Sequence, residues 1–247
     1  MAARTYKTEA IVLRSFRFSE ADRILHLYTR ERGRIGAIAK GVRKTRSRFG
    51  ARLEPLSHVQ LVLHEGSGEL HTVTGAELVR SHHASREDPY LLNVGLIGAE
   101  AMLRLFAEPE PNARAFAALA RFLDLLDAWP SGGHDRPVLD PLALSFQLKL
   151  LWLSGYLPHV TSCIECGSTA ELSGYSARAG GAVCRDHAQG SLALSPEGLA
   201  GVERLLTRPL ADAAAGSLSG RARRDALAVI TSSYEEHGGF RLRTLSA

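Results

Sequence analysis

Apolar and polar positions change their period once along the chain, near residue 80. Before that point the apolar residues come in short runs rich in branched and aromatic side chains. Thr8 to Phe16, Arg23 to Thr29 and Arg34 to Lys40 are three such runs, and Val59 to His64 and Leu70 to Thr74 nearly alternate. Successive side chains on a strand point to opposite faces, so alternation of this kind marks a strand with one buried face. Gly33 reads as a turn residue, and Gly66-Ser67-Gly68 as a hairpin loop. Five short strands packed into this stretch suit a small closed barrel, which leaves no open edge. An SH3-like barrel fits the same strand count.

From residue 88 the period becomes helical. Asp88-Pro89, Asp140-Pro141 and Ser195-Pro196 each pair a capping side chain with proline at the first helical position, where its missing N–H removes no hydrogen bond. A helix over 89–107 carries Leu92, Leu96, Leu103 and Phe106 on one stripe, and one over 113–129 carries Phe116, Leu119, Phe122, Leu123 and Leu126. The segment 141–154 is apolar on nearly every side, which predicts a buried central helix with Trp152 in the core. Gly155 and Pro158 stop it. Further helices are expected over 196–207 and 221–237, the second ended by Gly238 and Gly239. Residues 129–137 read as a loop, and residues 161–190, rich in Cys, Gly and Ser, follow neither period.

Composition narrows the class. The chain has 247 residues, 45% hydrophobic and 23% charged, as expected of a folded protein rather than a disordered one. Its most apolar stretch, Leu142 to Leu153, is interrupted by Ser145, Gln147 and Lys149. It is also shorter than the roughly 20 residues a bilayer requires. The first residues, Met1 to Lys7, lack the apolar core of a signal peptide. Three cysteines clustered in one third of the chain do not form a secreted disulfide framework. The expectation is a cytoplasmic protein without membrane partners.

The formal net charge is only +4, but it is unevenly placed: residues 1–80 hold fifteen Lys or Arg against eight Asp or Glu. Between Arg30 and Arg52 the cations are Arg30, Arg32, Arg34, Lys40, Arg43, Lys44, Arg46, Arg48 and Arg52, opposed only by Glu31. The portion Lys40 to Gly50 has no apolar period and reads as a loop between strands. Cations on a loop suit phosphate contacts, which need charge rather than a fixed side-chain register. Arg34, Lys40, Arg43, Lys44, Arg46, Arg48 and Arg52 are therefore the candidate nucleic-acid contacts. Phe16, Phe18, Tyr28 and Phe49 are available to stack on bases, although each fits a barrel core better. Nothing resembles a base-reading helix.

Cys163-x-x-Cys166-Gly167 and Cys184-x-x-His187 form the most specific chemical pattern. Each pair can be aimed at one ion by a single tight turn, and two pairs make the Cys₃His set that tetrahedral Zn²⁺ favours. With four protein ligands no position is left for water, so the metal is structural. A module this small cannot build its own core, and metal binding replaces it. His159 lies upstream and competes with His187 for the fourth place, at a spacing that fits a knuckle less well.

Enzymatic patterns are missing. Gly36 and Gly41 have the spacing of a phosphate loop, but Val42-Arg43 stands where Lys-Ser/Thr is required. No histidine begins the His-x-Glu of a zinc deaminase, and there is no Gly-x-Ser-x-Gly or His-Glu-x-x-His. Glu20 and Asp22 read as turn and surface residues, and His82-His83 as a polar linker. The chain is read as a non-enzyme.

The order of parts resembles the bacterial RecO recombination mediators along essentially the whole chain. The resemblance is carried by Glu9 to Arg14, Ser19 to Leu25, Ala39 to Lys44, Leu53 to Leu56, and Leu153 to Pro158 just before the Cys-x-x-Cys module. It implies an α+β multidomain fold: an N-terminal OB-fold barrel over 1–80, a helical domain over 81–160 and 190–247, and an inserted zinc-ribbon-like module over 161–189. It also implies binding of single- and double-stranded DNA and annealing of complementary strands. The implied partners are RecR and the single-strand-binding protein, with RecA loaded downstream. Lys40, Arg43, Lys44, Arg46 and Arg48 fall in the family's DNA-binding region. The family pattern usually ends in a second Cys-x-x-Cys, whereas His187 stands in its last place here. The alternative is an adaptor whose basic loop and zinc module bind protein, with DNA contact incidental.

Overall fold

Five strands, β1 (Arg4–Arg17), β2 (Arg23–Thr29), β3 (Gly33–Ala39), β4 (His58–Glu65) and β5 (His71–Arg80), close into a barrel in the order β1-β2-β3-β5-β4. The structure is a computed structural model and describes residues 4–44, 47, 49–66, 68–129, 136–213 and 218–245. β1 is long because it serves two neighbours: its first half pairs with β4 and its second half with β2, all antiparallel. The ring is closed by a short parallel pairing of β3 with β5, Ala37 opposite His71 and Ile38 opposite Thr72. β5 runs six residues past the expected Thr74 to Arg80. Its register against β4 shifts between Val62 and Leu63, which breaks the alternation by which the strand was recognised.

Inward residues alternate as the pattern predicts. Val12, Leu25, Leu27, Ile35, Ala37, Val59, Leu61, Leu63 and Val73 fill the barrel. Phe49 and Leu53, from a 3-10 turn at Gly50–Leu53 and the residue before it, join the same core. Burying a side chain the size of Phe49 contributes about 1.5–3 kcal/mol. Phe49 and Tyr28 are thus core residues and not stacking platforms, at 1% and 0% exposure.

Three helices belong to the same compact unit, which spans 1–128. They are α1 (His83–Glu87), α2 (Pro89–Leu105) and α3 (Ala113–Asp127). Asp88 caps α2 through the N–H groups of Tyr90 and Leu91, and Asn112 caps α3 through that of Ala115. The five expected residues of α3 are all buried. On α2 the buried side differs from the expected stripe: Leu91, Val94, Ile97, Ala101 and Met102 are buried, while Leu92, Leu96, Leu103 and Phe106 are only half-buried. The small residues decide it. A Cβ on Gly95 would stand 2.5 Å from Leu56 and 3.2 Å from Leu126, so this side admits close neighbours that the leucine stripe does not.

Polar contacts tie these helices to the barrel. Glu9 accepts from His58 Nε2 at 2.7 Å and from Arg30 Nε at 2.6 Å, and the Arg30 guanidinium lies 4.8 Å over the Phe116 ring of α3. His82, expected as a linker, is buried; its Nδ1 donates to the Leu56 carbonyl at 2.8 Å and its Nε2 faces Asp124 at 3.1 Å.

The second compact unit spans 129–247. It holds α4 (Pro141–Leu153), a three-stranded sheet of β6 (Leu172–Ser176), β7 (Gly181–Cys184) and β8 (Leu192–Ala193) in the order β7-β6-β8, then α5 (Pro196–Thr207) and α6 (Gly220–Gly238). α4 is buried on nearly every side, as expected, but Trp152 is 54% exposed because it falls in the last turn. Lys149 donates to the carbonyls of Leu205 and Leu206, and Ser145 to that of Leu205, so α4 caps the C-terminal end of α5. Tyr175 on β6 reaches Ser233 on α6 at 3.0 Å. The division between units follows residue 128, so α1–α3 group with the barrel. No helix of the described residues is long and apolar enough to cross a membrane. The loop expected at 129–137 lies largely outside the described residues.

Candidate nucleic-acid interface and metal centre

The basic loop leaves β3 at Lys40 and re-enters the barrel at Phe49. Its first turn is held against the β1–β2 connection. Gly41 takes a φ of +68°, and its N–H donates to Asp22 Oδ1 at 2.8 Å. The N–H of Arg43 donates to the Ala21 carbonyl at 3.0 Å, and its guanidinium to the carbonyls of Ser19 and Glu20. At the far end the buried Phe49 ring anchors the chain, and Arg52 donates to the Phe49 carbonyl at 3.1 Å. The loop is therefore pinned at both ends. Asp22, read from sequence as a surface residue, is one of the pins; its partner lies 19 positions away, and only the β2–β3 register brings them together.

Of the candidate contacts, Lys40, Arg43, Lys44 and Arg52 are exposed and Arg34 on β3 is half-buried. Arg46 and Arg48 lie outside the described residues. Among the described residues, Lys40, Arg43, Lys44 and Arg34 take part in no ion pair with a carboxylate, so their charge is available to a polyanion. Three other barrel cations are neutralised: Arg23 by Glu54, Arg30 by Glu9 and Arg32 by Glu65.

Two more cations stand beside the loop that the charge count did not single out. Register sets Arg17 opposite Arg23 and, one step inward, Phe16 opposite Ile24, which is opposite Ile38. Two steps further, on the same face, Arg14 faces His26. Burial and the flanking charges of Arg34 and Arg14 hold the His26 imidazole below its usual range. The signal available in the sequence was the alternation Arg14, Phe16, Phe18 at the end of β1.

In the second unit two turns bring Cys163, Cys166, Cys184 and His187 together, with all their donor atoms within 4.8 Å of one another. The first turn is closed by the Gly167 N–H on the Cys163 carbonyl at 2.8 Å, with Gly167 at a φ of +75°. The second is a 3-10 turn, Arg185–His187, directly after β7. The Cys163 N–H donates to the Ser168 carbonyl within the first turn, and the Ile164 N–H donates to the Ala182 carbonyl on β7, which ties that turn to the strand leading into the second. Cys163, Val183 and Cys184 make a small buried core with Leu172 and Ala188 against it.

The donor set fits a four-coordinate ion. A tetrahedron with metal–sulfur bonds of about 2.3 Å and metal–nitrogen bonds of about 2.0 Å has edges of about 3.8 Å (S–S) and 3.5 Å (S–N). Cys166 and Cys184 sulfurs are 3.9 Å apart, and His187 Nδ1 is 3.8 Å from Cys163 and 3.2 Å from Cys184. Burial raises the Cys163 thiol, but backbone donors at Cys184, Cys166 and Glu165 outweigh it and lower the thiol to about 6. Cys163 is thus favoured as the thiolate a metal requires, whereas Cys166, despite the Ser168 backbone donor, is raised by its hydrogen bonds to Cys163 and Cys184 and by burial. His159 is not part of the cluster: its Nε2 bonds Ser162 at 2.7 Å.

Known proteins match the chain along nearly its whole length. A family model described as recombination protein O N terminal matches residues 1–82, and one described as recombination protein O C terminal matches residues 86–246. The DNA repair protein RecO of Rubrobacter xylanophilus is 41% identical over 217 residues, covering 85% of this chain and 84% of that protein. The DNA repair protein RecO of Frankia casuarinae is 36% identical over 251 residues, covering 97% and 96%. That of Anaeromyxobacter sp. is 34% identical over 243 residues, covering 96% and 92%.

Proposed function

Because the chain belongs to the recombination protein O family of DNA repair proteins, we propose that it is a recombination mediator that binds single- and double-stranded DNA and anneals complementary strands by electrostatics alone. The barrel serves as an OB-fold, a reading supported by its strand order and by the parallel closure of β3 on β5. The observation that carries the proposal is the cationic loop pinned at both ends, with Lys40, Arg43 and Lys44 exposed and without carboxylate partners among the described residues.

Cations at fixed positions bind the phosphates of two strands, release their counterions and lower the repulsion between them. Base pairing then proceeds without nucleotide hydrolysis. Arg34 and Arg52 extend the phosphate track, and Arg46 and Arg48 belong to it by sequence. The partners of this reading are RecR and the single-strand-binding protein, with RecA loaded on the strand they clear, in the cytoplasm. Cys163, Cys166, Cys184 and His187 hold one structural zinc. When bound, the zinc cross-links the two turns of a module whose own apolar core is too small to fold it.

The test is annealing of complementary strands coated with the single-strand-binding protein, without ATP, over a salt series. Annealing well above background that falls with salt supports the proposal. Folded, zinc-loaded protein that gives no acceleration overturns it.

A further inference from the structure

Beside the basic loop the barrel has an outward face across β1, β2 and β3 in which an apolar row lies among arginines. Leu25 and Leu27 point into the barrel core, so Ile24 and His26 between them point out, and the register carries that face across three strands. One row is Phe16, Ile24 and Ile38; the next is Arg14, His26 and Gly36. Phe16 is 38% exposed although it is paired with Ile24 near the end of β1. Its ring meets His26 edge-on at a centroid distance of 5.5 Å and 88°. The Arg14 guanidinium hangs over the same ring at 5.9 Å. Gly36 has no side chain, and Leu70 from the β4–β5 connection lies where its Cβ would be. Phe18, 59% exposed, continues the face toward the basic loop.

We propose that this face is a base-stacking site for single-stranded DNA, with Phe16 as its platform, His26 as the brace that fixes the ring, and Arg14 and Arg34 as flanking phosphate contacts. It rests on the reading that the barrel binds DNA, and it adds what the loop alone lacks. A phosphate track grips single strands and duplexes alike, whereas an aromatic platform engages only bases that are unstacked. Charge complementarity selects the occupant. Arg14, Arg17 and Arg34 surround the apolar row and form no ion pair among the described residues, while Glu20 and Glu69 sit in the flanking loops. An apolar peptide would leave those guanidiniums unpaired. The face is therefore the element that sorts single strands from duplexes and presents bases for pairing.

The experiment measures binding of three ligands by the full chain across a salt series: oligo-dT, an abasic strand of the same length, and a duplex. For the unmodified protein oligo-dT should bind about tenfold more tightly than the abasic strand, since stacking one base is worth roughly that factor. Phe16→Ala should bring oligo-dT down to the abasic level, leave abasic and duplex binding unchanged, and keep the salt slope. Phe16→Trp should restore the preference, and its added indole emission should be quenched by oligo-dT but not by the abasic strand. Equal affinity of the unmodified protein for oligo-dT and the abasic strand, or an unchanged preference in Phe16→Ala, overturns the inference. A flat salt response with all three ligands defeats the loop reading instead, so the two failures are distinct.

Discussion

The carboxylate of Asp22 accepts a hydrogen bond from the backbone N–H of Gly41 at 2.8 Å, joining the residue before β2 to the loop that leaves β3, next to the strand-end pair Arg23 and Ala39. Gly41 has the left-handed backbone that starts the basic loop, so this bond sets the direction in which Lys40, Arg43 and Lys44 leave the barrel. Asp22→Ala removes a negative charge near a cationic site, and charge alone would strengthen DNA binding. Loss of the bond acts the other way by releasing the loop. The expected outcome is weaker DNA binding together with about 1–3 kcal/mol lower stability, the usual cost of deleting a charged hydrogen-bond partner. Urea unfolding and binding titrations on the same preparation check it; tighter binding would show that charge outweighs position.

Lys40→Ala and Lys44→Ala each remove one unpaired cation. If each contacts a phosphate, the log–log salt dependence of single-strand binding should fall by about 0.7 per substitution, and the double variant by about twice that. Affinity should fall for every sequence alike. A slope identical to the unmodified protein's would take that lysine out of the interface.

Metal analysis of purified protein should give one zinc per chain, and Cys163→Ser or Cys184→Ser should lose it. His159→Ala should keep it, because that ring bonds Ser162 rather than the cluster. His187→Cys should keep it too, since a thiolate supplies the same tetrahedral corner. On chelation, hydrogen exchange should accelerate in the turns of the module while the barrel amides are unaffected. Zinc retained after His187→Ala and lost after His159→Ala would reverse the ligand assignment.

Stability should decline with acid in a defined window. Burial holds His58 below the free side-chain value of 6.5, against the opposing pull of Glu9. The unfolded chain therefore binds this proton more readily than the folded one. Stability is whole above about pH 6.5 and falls as the pH drops from there toward the folded value. Glu9 acts in the same sense lower down. Burial raises its carboxyl, but Arg30 and His58 outweigh this and hold it below 4.5, so its contribution is lost as the pH falls through that lowered value. Urea midpoints at a series of pH values should drop more steeply below pH 6.5 in the unmodified protein than in His58→Gln. Parallel curves would remove His58 as a source of the acid sensitivity.

Local signals survived into the structure and long-range ones did not. The capping pairs Asp88-Pro89, Asp140-Pro141 and Ser195-Pro196 start helices where they were read, because a cap and its N–H partners are neighbours in sequence. The four metal-cluster residues were legible for the same reason: each pair needs only one turn. Aromatic placement was not. Tyr28 and Phe49 are core while Phe16 and Phe18 are exposed, and all four looked alike in the sequence. What separates Phe16 from the rest is the register shift between Val12 and Arg14, which turns the end of β1 outward. The role of Asp22 was hidden because its partner is set by strand pairing. Trp152 was assigned by the average of its helix, which holds for the middle turns and fails at the last one.

β1 is shared by β2 and β4, and this has an effect before the molecule is finished. During synthesis β1 and β2 can pair as soon as residue 29 is free of the ribosome, but the outer half of β1 must wait for residue 65. Through that interval the nascent chain carries an unpaired strand edge, the feature that invites association with other chains. The segment made while the edge is open is the arginine-rich one, Arg30 to Arg52. The same charges that suit the finished protein to a polyanion would keep two half-made copies apart by repulsion.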